Sequence, residues 1–277
     1  MKYYLYIIAF LCFTTLSQVQ SSADTAYYGN NPAAGHYLDV GDAKLYYEIY
    51  GSGQPIVLLH GGVYGYIDEF EPFINKLKDT YRVICIATRG HGKSAIGHQP
   101  FTYRQRAEDA FKVIRSITKD SVTVLGFSDG GYSAAKLASL HPELVKKLII
   151  IGAGDRPAGN NRKKFNYNEK ELMQQAPQLF KNRLALMPEP KRWPECLSML
   201  NDLYNDSIIS TETYSKIKCP VLVMGGDRDE YIKVQALATA ATSIANAQLS
   251  VIPGCGHVVF YCNFPAVWAS LEPFLKK

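Results

Sequence analysis

Three residues far apart in the chain have the chemistry of an activated nucleophile: Ser128, Asp229 and His257. A serine hydroxyl attacks a carbonyl only when a neighbouring base takes its proton. A histidine of ordinary pKa can take that proton and return it. An acid on the far side of the imidazole orients it and stabilises its charged form. Ser128 stands in "GFSDGG" (126–131), a G-x-S-x-G pattern whose glycines are needed where neighbouring backbone passes too close for a Cβ. "VIPGCGHVVF" (251–260) supplies His257 in a glycine-flanked loop. "VMGGDRDEY" (223–231) offers Asp227, Asp229 and Glu230. Asp229 is the preferred orienting acid because it lies further past the strand end, and Asp227 is expected to hold the turn.

A tetrahedral intermediate also needs two backbone N–H donors for its oxygen. One falls to Asp129, the residue after the serine. The other is expected from Gly62, at the end of "PIVLLHGG" (55–62), where a missing side chain lets an acyl oxygen approach. His60 in the same loop reads as a bracing hydrogen-bonder. The Asp129 side chain has two readings. It could draw an ammonium group on the acyl part of a substrate, or simply fix the turn.

The elements that must position these residues follow from apolar runs. "PIVLLHGG" (55–62), "YRVICIA" (81–87), "SVTVLGF" (121–127), "KLIIIGA" (147–153) and "PVLVMGG" (220–226) are continuously apolar, as strands buried on both faces are. "AQLSVIPG" (247–254) adds a final strand, and the alternating "KLYYEIYG" (44–51) fits an antiparallel edge at the start. Helix-like segments lie between them at 67–79, 102–118, 131–141, 233–245 and 264–277. Alternation of this kind predicts an α/β fold with a mostly parallel sheet covered on both faces. Ser128 then sits between a strand and a helix, and His257 between the last strand and the last helix. Residues 155–218 carry no convincing core strand, and about 155–215 are expected to form a helical cap. Its Phe165, Tyr167, Phe180, Met187, Trp193 and Met199 are candidates for either pocket lining or packing.

Composition sets the class. The 277 residues are 47% hydrophobic and 20% charged, ordinary for a globular chain with a real core. The 30 basic against 25 acidic residues are scattered, which argues against a nucleic-acid partner. Met1-Lys2, the apolar run 3–13 and a polar stretch ending at Ala23 read as a secretory signal peptide over residues 1–23. Residues 24–277 would then be exported, periplasmic or secreted, with no stable membrane span, since no other stretch approaches ~20 apolar residues. Cys85, Cys196, Cys219, Cys255 and Cys262 remain, an odd number with no C-x-x-C pair, which argues against metal or redox work. A disulfide is permitted in an exported protein, without a choice of partners. No cofactor and no metal is called for, and the expected partner is a small-molecule ester.

The chain resembles the α/β-hydrolase fold across nearly all of residues 24–277. The order Ser128, Asp229, His257 matches that family's nucleophile–acid–histidine order, "LLHGG" resembles its oxyanion loop, and "GFSDGG" is most similar to the valacyclovir-hydrolase-like (biphenyl-hydrolase-like) branch. The resemblance implies a serine hydrolase for carboxylic esters, with C–C bond hydrolysis or perhydrolysis on the same site as the variants. A non-turnover binding or receptor protein on the same fold is the reading from a different class. The comparison also places "ATRGHGKS" (87–94), which otherwise looks like a phosphate-binding loop lacking its first glycine. It matches the family turn D-x-R-G-x-G-x-S except that Ala87 replaces the acid, which puts the usual bracing of that turn in question. Gly97 and Pro100 follow too closely for the helix that a phosphate loop requires.

Overall fold

The computed structural model describes residues 28–159 and 164–276, so the expected signal segment lies outside the described residues. Eight strands make one sheet: β1 (Gly35–Asp39), β2 (Lys44–Tyr50), β3 (Gln54–Leu59), β4 (Tyr81–Ile86), β5 (Val122–Phe127), β6 (Val145–Ile151), β7 (Val221–Gly226) and β8 (Ala247–Ile252). Their order across the sheet is β1-β2-β4-β3-β5-β6-β7-β8. β2 is antiparallel to both β1 and β4, and every pairing from β4 to β8 is parallel. The 44–51 segment is therefore antiparallel as expected but is not the edge. β1 covers it, and the sequence "GHYLD" carried no signal because the strand buries no face.

Among the described residues, ten α-helices accompany the sheet: α1 (Glu71–Leu77), α2 (Tyr103–Ile117), α3 (Asp129–Leu140), α4 (Glu169–Gln175), α5 (Pro177–Leu186), α6 (Trp193–Asp206), α7 (Thr211–Tyr214), α8 (Val234–Thr242), α9 (Val259–Cys262) and α10 (Phe264–Lys276). Strand side chains alternate between faces, and the two cores divide accordingly. Ile56, Leu58, Leu125 and Ile149 pack with Phe73, Leu77 and Leu271 of α1 and α10. Val57, Leu59, Val124 and Ile150 pack with Ala107, Ala135 and Leu237 of α2, α3 and α8. Both faces are thus apolar, which is why the strands read as unbroken apolar runs. Each fully buried Leu, Ile or Val contributes roughly 1.5–3 kcal/mol.

Between β6 and β7, α4 to α7 occupy the interval that lacks a core strand. Asn168 caps α4 by accepting the Glu171 N–H at 3.0 Å. Phe180, Met187, Trp193 and Leu200 of these helices are buried with Val63 and Tyr132 of the body, so the two share one core. Phe165 and Tyr167 instead face a cavity.

Candidate active site

Parallel strands place their following loops at one edge of the sheet, where open α/β sheets bind ligands. The loops after β3, β5, β7 and β8 carry Gly62, Ser128, Asp229 and His257. They meet at a cavity of about 650 Å³ roofed by α6 and the segment before α4.

Ser128 stands at the junction of β5 and α3 with φ 51° and ψ −113°, the one non-glycine residue of positive φ among the described residues. Such backbone ordinarily selects glycine, and surrounding contacts must hold the serine there. The Ser128 N–H donates to the Ile151 carbonyl at 2.7 Å, and its carbonyl accepts from the Tyr132 N–H at 3.1 Å. The two glycines of the motif are steric necessities. A Cβ on Gly130 would lie 1.9 Å from the Leu59 carbonyl oxygen, and one on Gly126 would lie 2.2 Å from that of Gly130.

His257 Nε2 lies 2.8 Å from Ser128 Oγ, and its Nδ1 lies 2.7 Å from Asp229 Oδ2. Since a carboxylate oxygen accepts, Nδ1 carries the proton, and Nε2 is left to accept from the serine hydroxyl. Asp229 is buried, and its other oxygen accepts the Tyr231 and Ile232 N–H groups at 2.8 and 2.9 Å. These bonds fix the carboxylate that His257 meets. Phe127 and Tyr231 rings flank the imidazole at 5.1 and 5.0 Å. A disulfide joins Cys255 to Cys262 and closes the loop that carries His257, while Cys85, Cys196 and Cys219 are free and buried. Asp227 accepts the Gly254 N–H at 2.6 Å, the turn-holding place expected for it.

Beside Ser128, the loop amides divide. The Gly61 N–H is committed to Glu69 Oε1 at 2.5 Å, whereas the Gly62 and Asp129 N–H groups have no acceptor among the described residues. Burial pushes the Glu69 carboxyl up to about 8, against the Gly61 bond, which favours the anion. His60 braces the loop from below: Nδ1 donates to the Gly61 carbonyl at 2.7 Å and Nε2 accepts the Thr88 N–H at 3.0 Å. Burial holds His60 and its neighbour His91 well below the ordinary imidazole range, His91 at about 3. The turn that lacks its acid at Ala87 is braced another way. Arg89 pairs with Asp42 at 2.5 Å and Asp109 at 2.6 Å, and the Ser94 hydroxyl donates to the Ala87 carbonyl at 2.9 Å.

The Asp129 side chain differs from one of its expectations. It is buried against the guanidinium of Arg106, itself 1% exposed, and so is no free anion for an ammonium group. Burial raises the Asp129 carboxyl, while the Arg106 charge opposes that rise. Burial likewise disfavours the Arg106 charge, but Asp129 more than restores it. Sequence reasoning missed Arg106, although it falls on the same stripe of α2 as Tyr103, Ala107 and Ala110. A charge on an apolar stripe is a signal that it needs a buried partner. Tyr103, Tyr132, Arg156 and Tyr204 also line the cavity and were not anticipated. The tyrosines look like core residues at helical spacing.

Residues 56–270 match the model of an alpha/beta hydrolase family. The chain is 32% identical over 241 residues to RutD of Azorhizobium caulinodans, a candidate carbamate hydrolase, covering 80% of this chain and 91% of that one. It is 27% identical over 267 residues to a non-heme haloperoxidase of Rhodococcus erythropolis, covering 84% and 96%. A thermophilic esterase of Thermogutta terrifontis superposes with a TM-score of 0.73 at 21% identity, covering 87% of this chain and 98% of that one. With its mostly parallel eight-stranded sheet and the family match over most of its length, this chain belongs to the alpha/beta hydrolase family.

Proposed function

We propose that this protein is an exported serine hydrolase that cleaves carboxylic esters through an acyl-enzyme on Ser128. One observation carries the reading. The Ser128–His257–Asp229 hydrogen-bonded chain ends at a cavity where two backbone amides, Gly62 and Asp129, have no acceptor among the described residues. His257 Nε2 takes the hydroxyl proton as Oγ bonds to the ester carbonyl carbon. The carbonyl oxygen becomes an oxyanion held by the two amides. His257 then gives its proton to the leaving alcohol oxygen as the C–O bond breaks. Water attacks the acyl-enzyme by the same route, releasing the acid and restoring Ser128. Asp229 holds the imidazole in place and stabilises the imidazolium.

Aromatic walls from Tyr64, Phe165, Tyr167 and Tyr231 favour an apolar acyl or alcohol group. Because Arg106 already pairs with Asp129, that carboxylate does not favour an amine-bearing acyl group over a neutral one. Export is supported by the signal-like segment 1–23 and by the Cys255–Cys262 disulfide, a bond characteristic of oxidising compartments. The test is steady-state hydrolysis of a series of p-nitrophenyl esters by residues 24–277. Multiple turnovers, reduced by roughly 10⁴-fold or more in Ser128→Ala, are expected. Turnover of equal rate in the variant, or none in the wild type, would reject the reading.

A further inference from the structure

We propose that the Tyr204 hydroxyl, delivered by the cap helix α6, is a third hydrogen-bond donor to the oxyanion formed at Ser128. The inference rests on the serine-hydrolase reading above and adds a residue to it. Tyr204 is 7% exposed, yet its hydroxyl has no hydrogen-bond partner among the described residues. A buried hydroxyl left unpaired keeps the full penalty of its lost hydration, so its retention calls for a partner that arrives later. Its position says which partner. A Cβ placed on Gly62 would lie 2.4 Å from the Tyr204 oxygen and 3.6 Å from the Asp129 Cβ. The hydroxyl thus stands against Gly62 and near Asp129, the two residues whose amides are unspent, and Tyr204 lines the cavity that holds Ser128 and His257.

The surroundings hold it there as a neutral donor. Phe165 and Tyr167 rings pack against its ring at 5.4 and 6.1 Å, both edge to face. The Arg156 guanidinium donates to the Tyr204 backbone carbonyl and stacks over Tyr132 at 5.6 Å, which ties the end of α6 to α3. Burial keeps the hydroxyl protonated far above the ordinary tyrosine range. The nearby carboxylate, Asp129, pairs with Arg106 through Oδ2; its Oδ1, like the Tyr204 hydroxyl, has no hydrogen-bond partner among the described residues, so no bond joins the two. A donor preplaced in this way gains its bond only as charge develops on the substrate oxygen, which is the condition for lowering a barrier. It also makes the cap a contributor to chemistry as well as a lid over the pocket.

The test is Tyr204→Phe read three ways. A ¹³C-carbonyl-labelled aryl trifluoromethyl ketone is added to the enzyme, so that Ser128 Oγ bonds to the labelled carbon and forms a hemiketal. The ¹³C shift then reports the pKa of the hemiketal hydroxyl. Loss of the donor is expected to raise that pKa by about one to two units and to lower kcat on p-nitrophenyl esters by about 10- to 100-fold, with KM changed less than about threefold. Thermal unfolding of the free variant is expected to be unchanged or slightly raised, since an unpaired group has been removed. An unchanged hemiketal pKa and kcat, a loss confined to KM, or a clear drop in the stability of the free protein would each overturn the role. Absence of any hemiketal on the wild type would remove the serine-hydrolase reading itself, and this inference with it.

Discussion

The backbone at Ser128 predicts a reversal of the usual order of alanine and glycine. At most positions near a helix, Gly is less stable than Ala by roughly 0.5–1 kcal/mol, because the unfolded glycine has more freedom to lose. Ser128 has φ 51° and ψ −113°, a combination that strains any residue with a Cβ. Such strain costs on the order of 1–3 kcal/mol. Ser128→Ala keeps the strain and loses the 2.8 Å bond to His257, whereas Ser128→Gly loses the same bond and releases the strain. The bond cancels between the two variants. Subtracting the entropy of glycine from the strain leaves Ser128→Gly more stable than Ser128→Ala by about 1 kcal/mol, or roughly 2–4 °C in Tm for a domain of this size. Urea and thermal unfolding of both inactive variants, with the disulfide intact, would measure it. Equal stability, or alanine above glycine, would refute a strained nucleophile turn.

Other consequences follow from the same geometry. Gly130→Ala would drive a Cβ to 1.9 Å from the Leu59 carbonyl oxygen, so it should abolish esterase activity and broaden or lower the unfolding transition; an active, stable variant would contradict the packing. Arg106→Met should cost about 3–5 kcal/mol by stranding the buried Asp129 carboxylate, and adding Asp129→Asn should recover part of that in urea unfolding. Folded Glu69 keeps its proton up to about 8, while the unfolded chain loses it near 4.5. The stability this gives is therefore complete below pH 4.5 and is lost as pH rises through 8. Glu69→Gln should flatten Tm against pH across that window, and a variant with the wild-type slope would assign the slope elsewhere. Replacing Cys255 and Cys262 with alanine should cost about 2–3 kcal/mol and lower kcat by loosening the loop around His257, and an unaffected kcat would show that the bridge only stabilises.

What the sequence revealed and what it hid divide along a physical line. The central strands were legible because burial on both faces leaves unbroken apolar runs, as in "PIVLL" and "KLIII". Ser128 was legible because its glycines answer to local backbone contacts, and His257 because its loop follows a strand. β1 was hidden because a half-exposed edge strand of five residues needs neither an apolar run nor alternation. The Arg106–Asp129 pair was hidden for another reason. The two residues are 23 positions apart on different helices, and only the packing of α2 against α3 brings their charges together. Tyr204 and Arg156 gain their places from the way α6 and the chain after β6 pack against α3. Nothing local to "DLYND" distinguishes a tyrosine facing a cavity from one filling a core. The choice of Cys255 and Cys262 from five cysteines likewise depends on a turn of chain that the spacing alone does not specify.

Covalent labelling reads out whether Ser128 is an activated nucleophile. Residues 24–277 and the Ser128→Ala variant are treated with a fluorophosphonate and weighed intact, and the modified peptide is sequenced. One adduct is expected on the wild type, located on Ser128, and none on the variant. An unlabelled but folded wild type, or an adduct that persists in Ser128→Ala, would contradict it.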